Sequence, residues 1–185
     1  MKLNKIKFYF IIIIIYIKMV YKIAFGGKMG VGKDFAADYL IKNYSGNKLA
    51  FSKPLYDILH FAQEICGFEN KKDRKFLQLV GTEWAKQKKS DVWINKLFSS
   101  VIPNENCFIT DVRFSDEFYS LKKNGWKCIK ILRLHQENRE GTGSITHSSE
   151  LMLDMIPDED WDHIIENYGN EKEFQYKLNL FINSL

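Results

Sequence analysis

Gly27-Lys28-Met29-Gly30-Val31-Gly32-Lys33-Asp34 has the G-x-x-x-x-G-K spacing of a phosphate-binding loop, and it ends in aspartate where serine or threonine is usual. Its flanks agree with that reading. Residues 21–25 form a short apolar strand candidate, and Phe35, Ala36, Tyr39 and Leu40 recur at helical spacing over residues 35–44. Glycines let the backbone turn tightly round an anion, so that successive N–H groups and the positive end of the following helix face it. Lys33 is then expected to reach the outer phosphates of a nucleoside triphosphate. The plain alternative is a glycine turn that merely joins a strand to a helix, and the full spacing with both flanks disfavours it. Lys28 is either a phosphate contact or a solvated loop lysine. A carboxylate beside a triphosphate repels it unless a cation lies between them, so Asp34 is expected to hold Mg²⁺, directly or through water. Its alternative is an acid interacting with the helix dipole.

Beyond the loop, strand and helix patterns alternate. Strands are expected at 48–51, 107–110, 127–134 and 161–166. Helices are expected at 54–65, 71–86, 91–101, 115–123 and 171–182, with Phe76, Leu77, Val80 and Trp84 as one apolar stripe. Repeated β–α order implies an α/β fold, a five-stranded parallel sheet flanked by helices in three layers, with ligands at the carboxyl ends of the strands. That rule puts Asp111 and Arg113 on the same sheet edge as the glycine loop. An acid there orients Mg²⁺ or its water, and an arginine there grips a second phosphate. The polar segment 136–150 follows the fourth strand and carries Arg139, with Arg133 just before it. It is expected to act as a lid over 135–150 that brings an arginine to the transferred phosphoryl group, against the alternative of an ordinary surface loop. His147 is as readily a loop histidine as a contact.

The whole chain of 185 residues is 45% hydrophobic and 27% charged with a net charge of +4, enough for one core and suited to small anionic substrates. Its lysines are scattered, which argues against a nucleic-acid partner. Cys66, Cys107 and Cys128 read as reduced core residues, and the four histidines show no metal spacing. The segment Phe8-Tyr9-Phe10-Ile11-Ile12-Ile13-Ile14-Ile15-Tyr16-Ile17 imitates a secretory signal but lacks a small-residue cleavage site after it. As a helix it would span only about 15 Å, half a bilayer core. Residues 1–18 are therefore expected to be a low-complexity apolar extension without a stable membrane span, with anchoring at a membrane surface and a start at Met19 as alternatives, ahead of a cytoplasmic domain at 19–185. Oligomeric state is not legible.

Several blocks occur in order with the loop: Phe51-Ser52-Lys53-Pro54-Leu55, Leu77-Gln78-Leu79-Val80-Gly81-Thr82-Glu83, Asp91-Val92-Trp93, Thr110-Asp111-Val112-Arg113-Phe114, His147-Ser148-Ser149-Glu150 and Ile164-Ile165-Glu166-Asn167-Tyr168-Gly169. Together, over residues 20–183, they resemble the deoxynucleoside monophosphate kinases of phages and large DNA viruses, within the P-loop kinase superfamily. The resemblance implies transfer of the γ-phosphoryl group of ATP to a deoxynucleoside 5′-monophosphate, with Mg²⁺. It assigns Gly27, Lys28, Gly30, Val31, Gly32, Lys33 and Asp34 to ATP and its metal, with Asn167 and Gly169 near the adenine. Ser52, Lys53 and Trp84, within the acceptor-binding helices 52–103, and Asp111, after the third strand, would border the acceptor. Arg113 would hold the acceptor phosphate, Arg139 would serve as lid arginine, and Asp34 and Asp111 would attend the metal. Lys86 and Lys88 are further phosphate candidates, although a solvated helix face fits them better. One departure is Phe35, where the family commonly has threonine.

Two rivals stand beside it. Animal-type phosphomevalonate kinases share the Lys-Asp-Phe sequence, but their acceptor calls for several arginines after the third strand, and here Phe114 follows Arg113. A binding-only P-loop module is the other. A GTPase is disfavoured because Asp111 is not followed by the glycine of a switch turn.

Overall fold

A computed structural model describes residues 19–133 and 153–185. The proposed extension 1–18, and the proposed lid with Arg139 and His147, lie outside them.

Five strands form one sheet: β1 Lys22–Gly26, β2 Asn47–Leu49, β3 Cys107–Ile109, β4 Lys127–Leu132 and β5 His163–Glu166. Their order is β2-β3-β1-β4-β5 and every pairing is parallel. β1 is central, with Ala24 opposite Ile109 on one side and Cys128 on the other. Helices are α1 Lys33–Tyr44, α2 Lys53–Cys66, α3 Arg74–Gln78, α4 Val92–Phe98, α5 Ser115–Lys123 and α6 Glu171–Asn183.

Strand residues alternate between faces, and two cores result. Ile23, Phe25, Phe108, Ile129, Ile131 and Ile165 meet α1 and α6 through Ala36, Leu40, Phe174 and Leu178. Ala24, Cys107, Ile109 and Cys128 meet α4 and α5 through Trp93, Leu97, Phe118 and Leu121. The expected three layers and parallel five-stranded sheet are therefore present. From β1 the chain leaves toward β2, whereas from β3 it crosses back over β1 to β4. The carboxyl ends of β1 and β3 thus flank a crevice, the usual ligand site of such sheets.

The expected single helix over 71–86 is instead α3 followed by a π-helical turn, Leu79–Lys86. Gly81 has its carbonyl oxygen bound by the indole N–H of Trp93 at 2.9 Å, a buried bond that competes with the regular helical ladder. The wider winding changes the phase of the apolar face: Gly81 and Ala85 are buried, and Trp84, expected in the stripe, is turned out with 55% of its surface exposed. Cys66 departs from expectation too. It ends α2 exposed, whereas Cys107 and Cys128 are buried, and all three are free thiols. Strand ends are shorter than the apolar runs suggest, because Thr110 and Arg133 already lie outside the ladder.

α2 stands largely off the sheet, with Leu59 and Gln63 buried and Ile58, Phe61 and Ile65 exposed. α4, by contrast, belongs to the core. The part of 52–103 that projects therefore runs from α2 to the π-helical turn. No helix among the described residues is long and apolar enough to cross a membrane.

Candidate active site

The glycine loop joins β1 to α1 at the central crevice. Gly27 has φ +130°, and a Cβ there would collide with the carbonyl oxygen of Ile131 on β4. Gly32 has φ +109°, and a Cβ would come 2.8 Å from Asn167 Nδ2 and 3.1 Å from the Phe174 ring. Both positions thus require glycine by backbone conformation and by space. Gly32 is also the N-cap of α1 and has no side-chain cap, so the first N–H groups of this 12-residue helix have no capping side chain to satisfy them. That is the arrangement an anion needs. Lys33 Nζ lies over the loop, donating to the carbonyl oxygens of Gly27 at 2.6 Å and Lys28 at 2.7 Å. Lys28 reaches Asp154 at 3.8 Å across an exposed gap.

Asn167 acts as a strut beneath the loop. Its backbone N–H donates to Leu132 at 2.7 Å, and its buried side-chain amide donates to the Val31 carbonyl at 2.8 Å. The loop is therefore tied to the ends of β4 and β5. Gly169 lies under the Glu173 carboxylate, the flexible end of a side chain that a Cβ would displace.

Asp34, in the first turn of α1, accepts at Oδ1 from the Thr110 hydroxyl at 3.0 Å and from Lys48 Nζ at 2.8 Å. Lys48 also reaches Asp38 at 3.1 Å. Burial works to raise the Asp34 pKa, but the hydrogen bonds from Lys48 and Thr110 and the charges of Lys48 and Lys33 outweigh it and hold the carboxyl below its usual value. The sequence reading of Asp34 missed Lys48 and Thr110. Lys48 answers the repulsion between a carboxylate and phosphates, because it places a second cation beside Asp34. Both contacts fall on Oδ1, and Mg²⁺ takes only one or two carboxylates, completing its shell with phosphate oxygens and water. The donor set fits that ion. No group of three or more His, Cys, Asp or Glu placed to hold a metal ion occurs among the described residues.

Asp111 and Arg113 do emerge beside the loop, at the end of β3. Asp111 accepts from the Phe51 N–H at 2.9 Å, from the Ser52 N–H at 2.9 Å and from the Ser52 hydroxyl at 2.6 Å. Its carboxylate thus fixes the turn from β2 into α2. Lys53, next in sequence, is exposed and pairs with Asp57 on its own helix. The Arg113 side chain has no hydrogen bond or ion pair among the described residues, while its backbone N–H donates to Glu117 Oε2 at 2.9 Å. The same oxygen accepts from the Phe114 N–H at 3.1 Å. Trp84 shows its ring to solvent with Lys88 Nζ 5.6 Å from its centroid.

Glu117 was not legible as a site residue, for it sits inside α5 like any first-turn acid. It is 3% exposed, and burial pushes its pKa up to about 7. The N–H of Arg113, the charge of Lys86 and the N–H of Phe114 pull it back, and Asp111 pushes it further up. An acid with a raised folded-state pKa contributes stability that is complete below its unfolded value and lost as pH rises through the folded one. Between roughly pH 4.5 and pH 7 the loss should reach about 3 kcal/mol. Glu117→Gln is expected to flatten that slope and to exceed the wild type in stability at pH 8, measured by urea unfolding at pH 5 to 8. Parallel curves for the two proteins would refute the assignment to Glu117. Asp34, with its pKa lowered, contributes in the separate acidic range below its ordinary value.

No protein-family model matches the chain. An uncharacterized protein, ORF77, of Ictalurid herpesvirus 1 (strain Auburn) is 31% identical over 142 residues, which are 74% of this chain. The chain spans only 60% of that relative's length. Among solved structures, dephospho-CoA kinase from Campylobacter jejuni superposes with a TM-score of 0.54 at 16% identity, covering 90% of this chain and 97% of the other. Shikimate kinase from Acinetobacter baumannii, in complex with shikimate, gives 0.51 at 12% identity, covering 90% and 96%. The strand order, the glycine loop at the crevice and these likenesses agree: the chain has the α/β P-loop kinase fold.

Proposed function

We propose that this protein transfers the γ-phosphoryl group of ATP to a deoxynucleoside 5′-monophosphate, giving the diphosphate and ADP. The observation that carries the reading is Arg113, a guanidinium without a partner among the described residues, on the same sheet edge as the Lys33 loop. Gly27, Lys28, Gly30, Val31 and Gly32 would surround the donor phosphates with backbone N–H groups. Lys33 would turn from the loop carbonyls to the phosphoryl oxygens. Asp34 would hold Mg²⁺, which neutralises phosphate charge when bound, while Asp111 contributes to that ion only through its water shell.

The acceptor's phosphate oxygen attacks the γ-phosphorus in line, forming one P–O bond as the bond to ADP breaks. Two anions must approach each other, so positioning and positive charge supply most of the catalysis. Arg113 would bind the acceptor phosphate bidentately and offset that repulsion. Ser52, fixed by Asp111, and Lys53 would border the acceptor, and Trp84 offers an aromatic face to its base. Asn167 and Gly169 support the loop and the wall near the adenine. Arg139, on the segment proposed as the lid, would complete the charge. Such chemistry draws on the ATP pool, which accords with a cytoplasmic site of action.

The phosphomevalonate reading rests on the Lys-Asp-Phe sequence, and it lacks a second arginine beside Arg113. ADP release should rise at least tenfold over background with one or more deoxynucleoside monophosphates. Ribonucleotides and phosphomevalonate serve as controls. Release with phosphomevalonate alone would replace this reading by its rival. Nucleotide binding without release under any acceptor would leave a binding module.

A further inference from the structure

Around Arg113 the backbone is held from two directions. From α5, the buried Glu117 carboxylate accepts the consecutive N–H groups of Arg113 and Phe114 through one oxygen. From the π-helical turn, Lys86 Nζ lies 3.8 Å from the centre of the Phe114 ring and 3.4 Å from Asp116. The Lys86 side chain is only 16% exposed, so the solvated helix face expected for it is absent. Its ammonium is instead committed to the residue next to the arginine. Lys86 closes the projecting part of the chain, whereas Arg113 belongs to the sheet edge. A cation on an aromatic face is a directional contact, one that an arginine can also supply and a neutral chain cannot.

We infer that Lys86 and Glu117 form a two-sided clamp on Arg113-Phe114, through which the π-helical turn sets the aim of the arginine. Both are positioning residues: neither touches the reacting atoms, and each acts through the backbone that carries Arg113. The inference rests on the proposed role of Arg113 toward an acceptor phosphate. Two features argue for coupling and against mere packing. Glu117 spends its oxygen on the arginine's own N–H, and the ring that Lys86 covers is the adjacent residue, so movement of the turn is transmitted over one peptide unit.

The test separates the clamp from the reaction. Lys86→Met keeps the stem and removes the charge; Lys86→Arg keeps both. Backbone amide exchange at Arg113 and Phe114, followed by NMR in the full chain without nucleotide, should quicken by about tenfold in Lys86→Met and return toward wild type in Lys86→Arg. Unchanged exchange in Lys86→Met overturns the clamp, whatever the enzyme does. In kinetics with the best acceptor, Lys86→Met should raise the acceptor KM by about tenfold and leave the KM for ATP unchanged, with recovery in Lys86→Arg. Equal changes in both KM values, accompanied by a fall in Tm, overturn it in favour of a structural contact. If the wild type transfers phosphate to no acceptor, the kinase reading and the acceptor role of the clamp fall together, and the exchange result alone still decides the clamp.

Discussion

Lys33→Met is expected to reduce phosphoryl transfer by about a hundred- to a thousandfold, as loss of a single preorganised donor to developing charge does elsewhere. The lysine stands at the start of α1, with its ammonium already above the loop and donating to two carbonyl oxygens. Methionine preserves the length of the stem and removes only the charge. The Lys28 bond is exposed and the Gly27 bond only part-buried, so water replaces much of the lost donor and the fold keeps its melting temperature within about 3 °C. ADP release with saturating acceptor measures the first quantity and thermal unfolding the second. Turnover within a factor of ten of wild type would sink the assignment of the loop as the donor site.

Asp111→Ala should have the largest effect on stability. Three donors converge on this carboxylate, two of them backbone N–H groups at the turn into α2. A hydrogen bond to a charged acceptor is worth about 1.5 to 3 kcal/mol, and the three are not independent. Loss of about 3 kcal/mol is the reasonable sum, which lowers Tm by roughly 6 to 12 °C in a domain of this size. Asp111→Asn, which keeps one accepting oxygen, should lie between. Kinetically the damage should appear on the acceptor side, since α2 starts from the turn that Asp111 fixes, while the KM for ATP stays near wild type. A normal melting temperature in Asp111→Ala would show that the turn holds itself.

The glycine loop and the alternating elements were legible because they rest on local chemistry. The spacing of Gly27, Gly32 and Lys33 fixes a turn, and the short apolar strand before it is buried on both faces, so the order of layers follows. The direction taken by Trp84 was not legible. It depends on Trp93, nine positions further on, whose indole N–H binds the Gly81 carbonyl and widens the helix; no period within 71–86 records that bond. The partners of Asp34 were hidden for the same reason. Lys48, in the middle of β2, and Thr110, just past β3, look ordinary until the sheet brings β2 and β3 beside α1. Asp111 and Arg113 were correctly placed at the edge by the parallel-sheet rule, but the rule places backbone and says nothing of hydrogen bonds. Only the folded chain brings Phe51 and Ser52 to Asp111, and Asn167 to Val31.

The central position of β1 bears on how the molecule is made. Among the described strands β1 is synthesised first, yet its neighbours are Cys107–Ile109 and Lys127–Leu132, both far downstream. Until the ribosome has released β4, the strand has no partner on that side, and the Ile131 carbonyl that borders Gly27 does not exist. Pairings so distant in sequence slow folding and leave an apolar strand uncovered meanwhile. A nascent chain ending before β4 therefore carries the whole glycine motif without the strand that borders it.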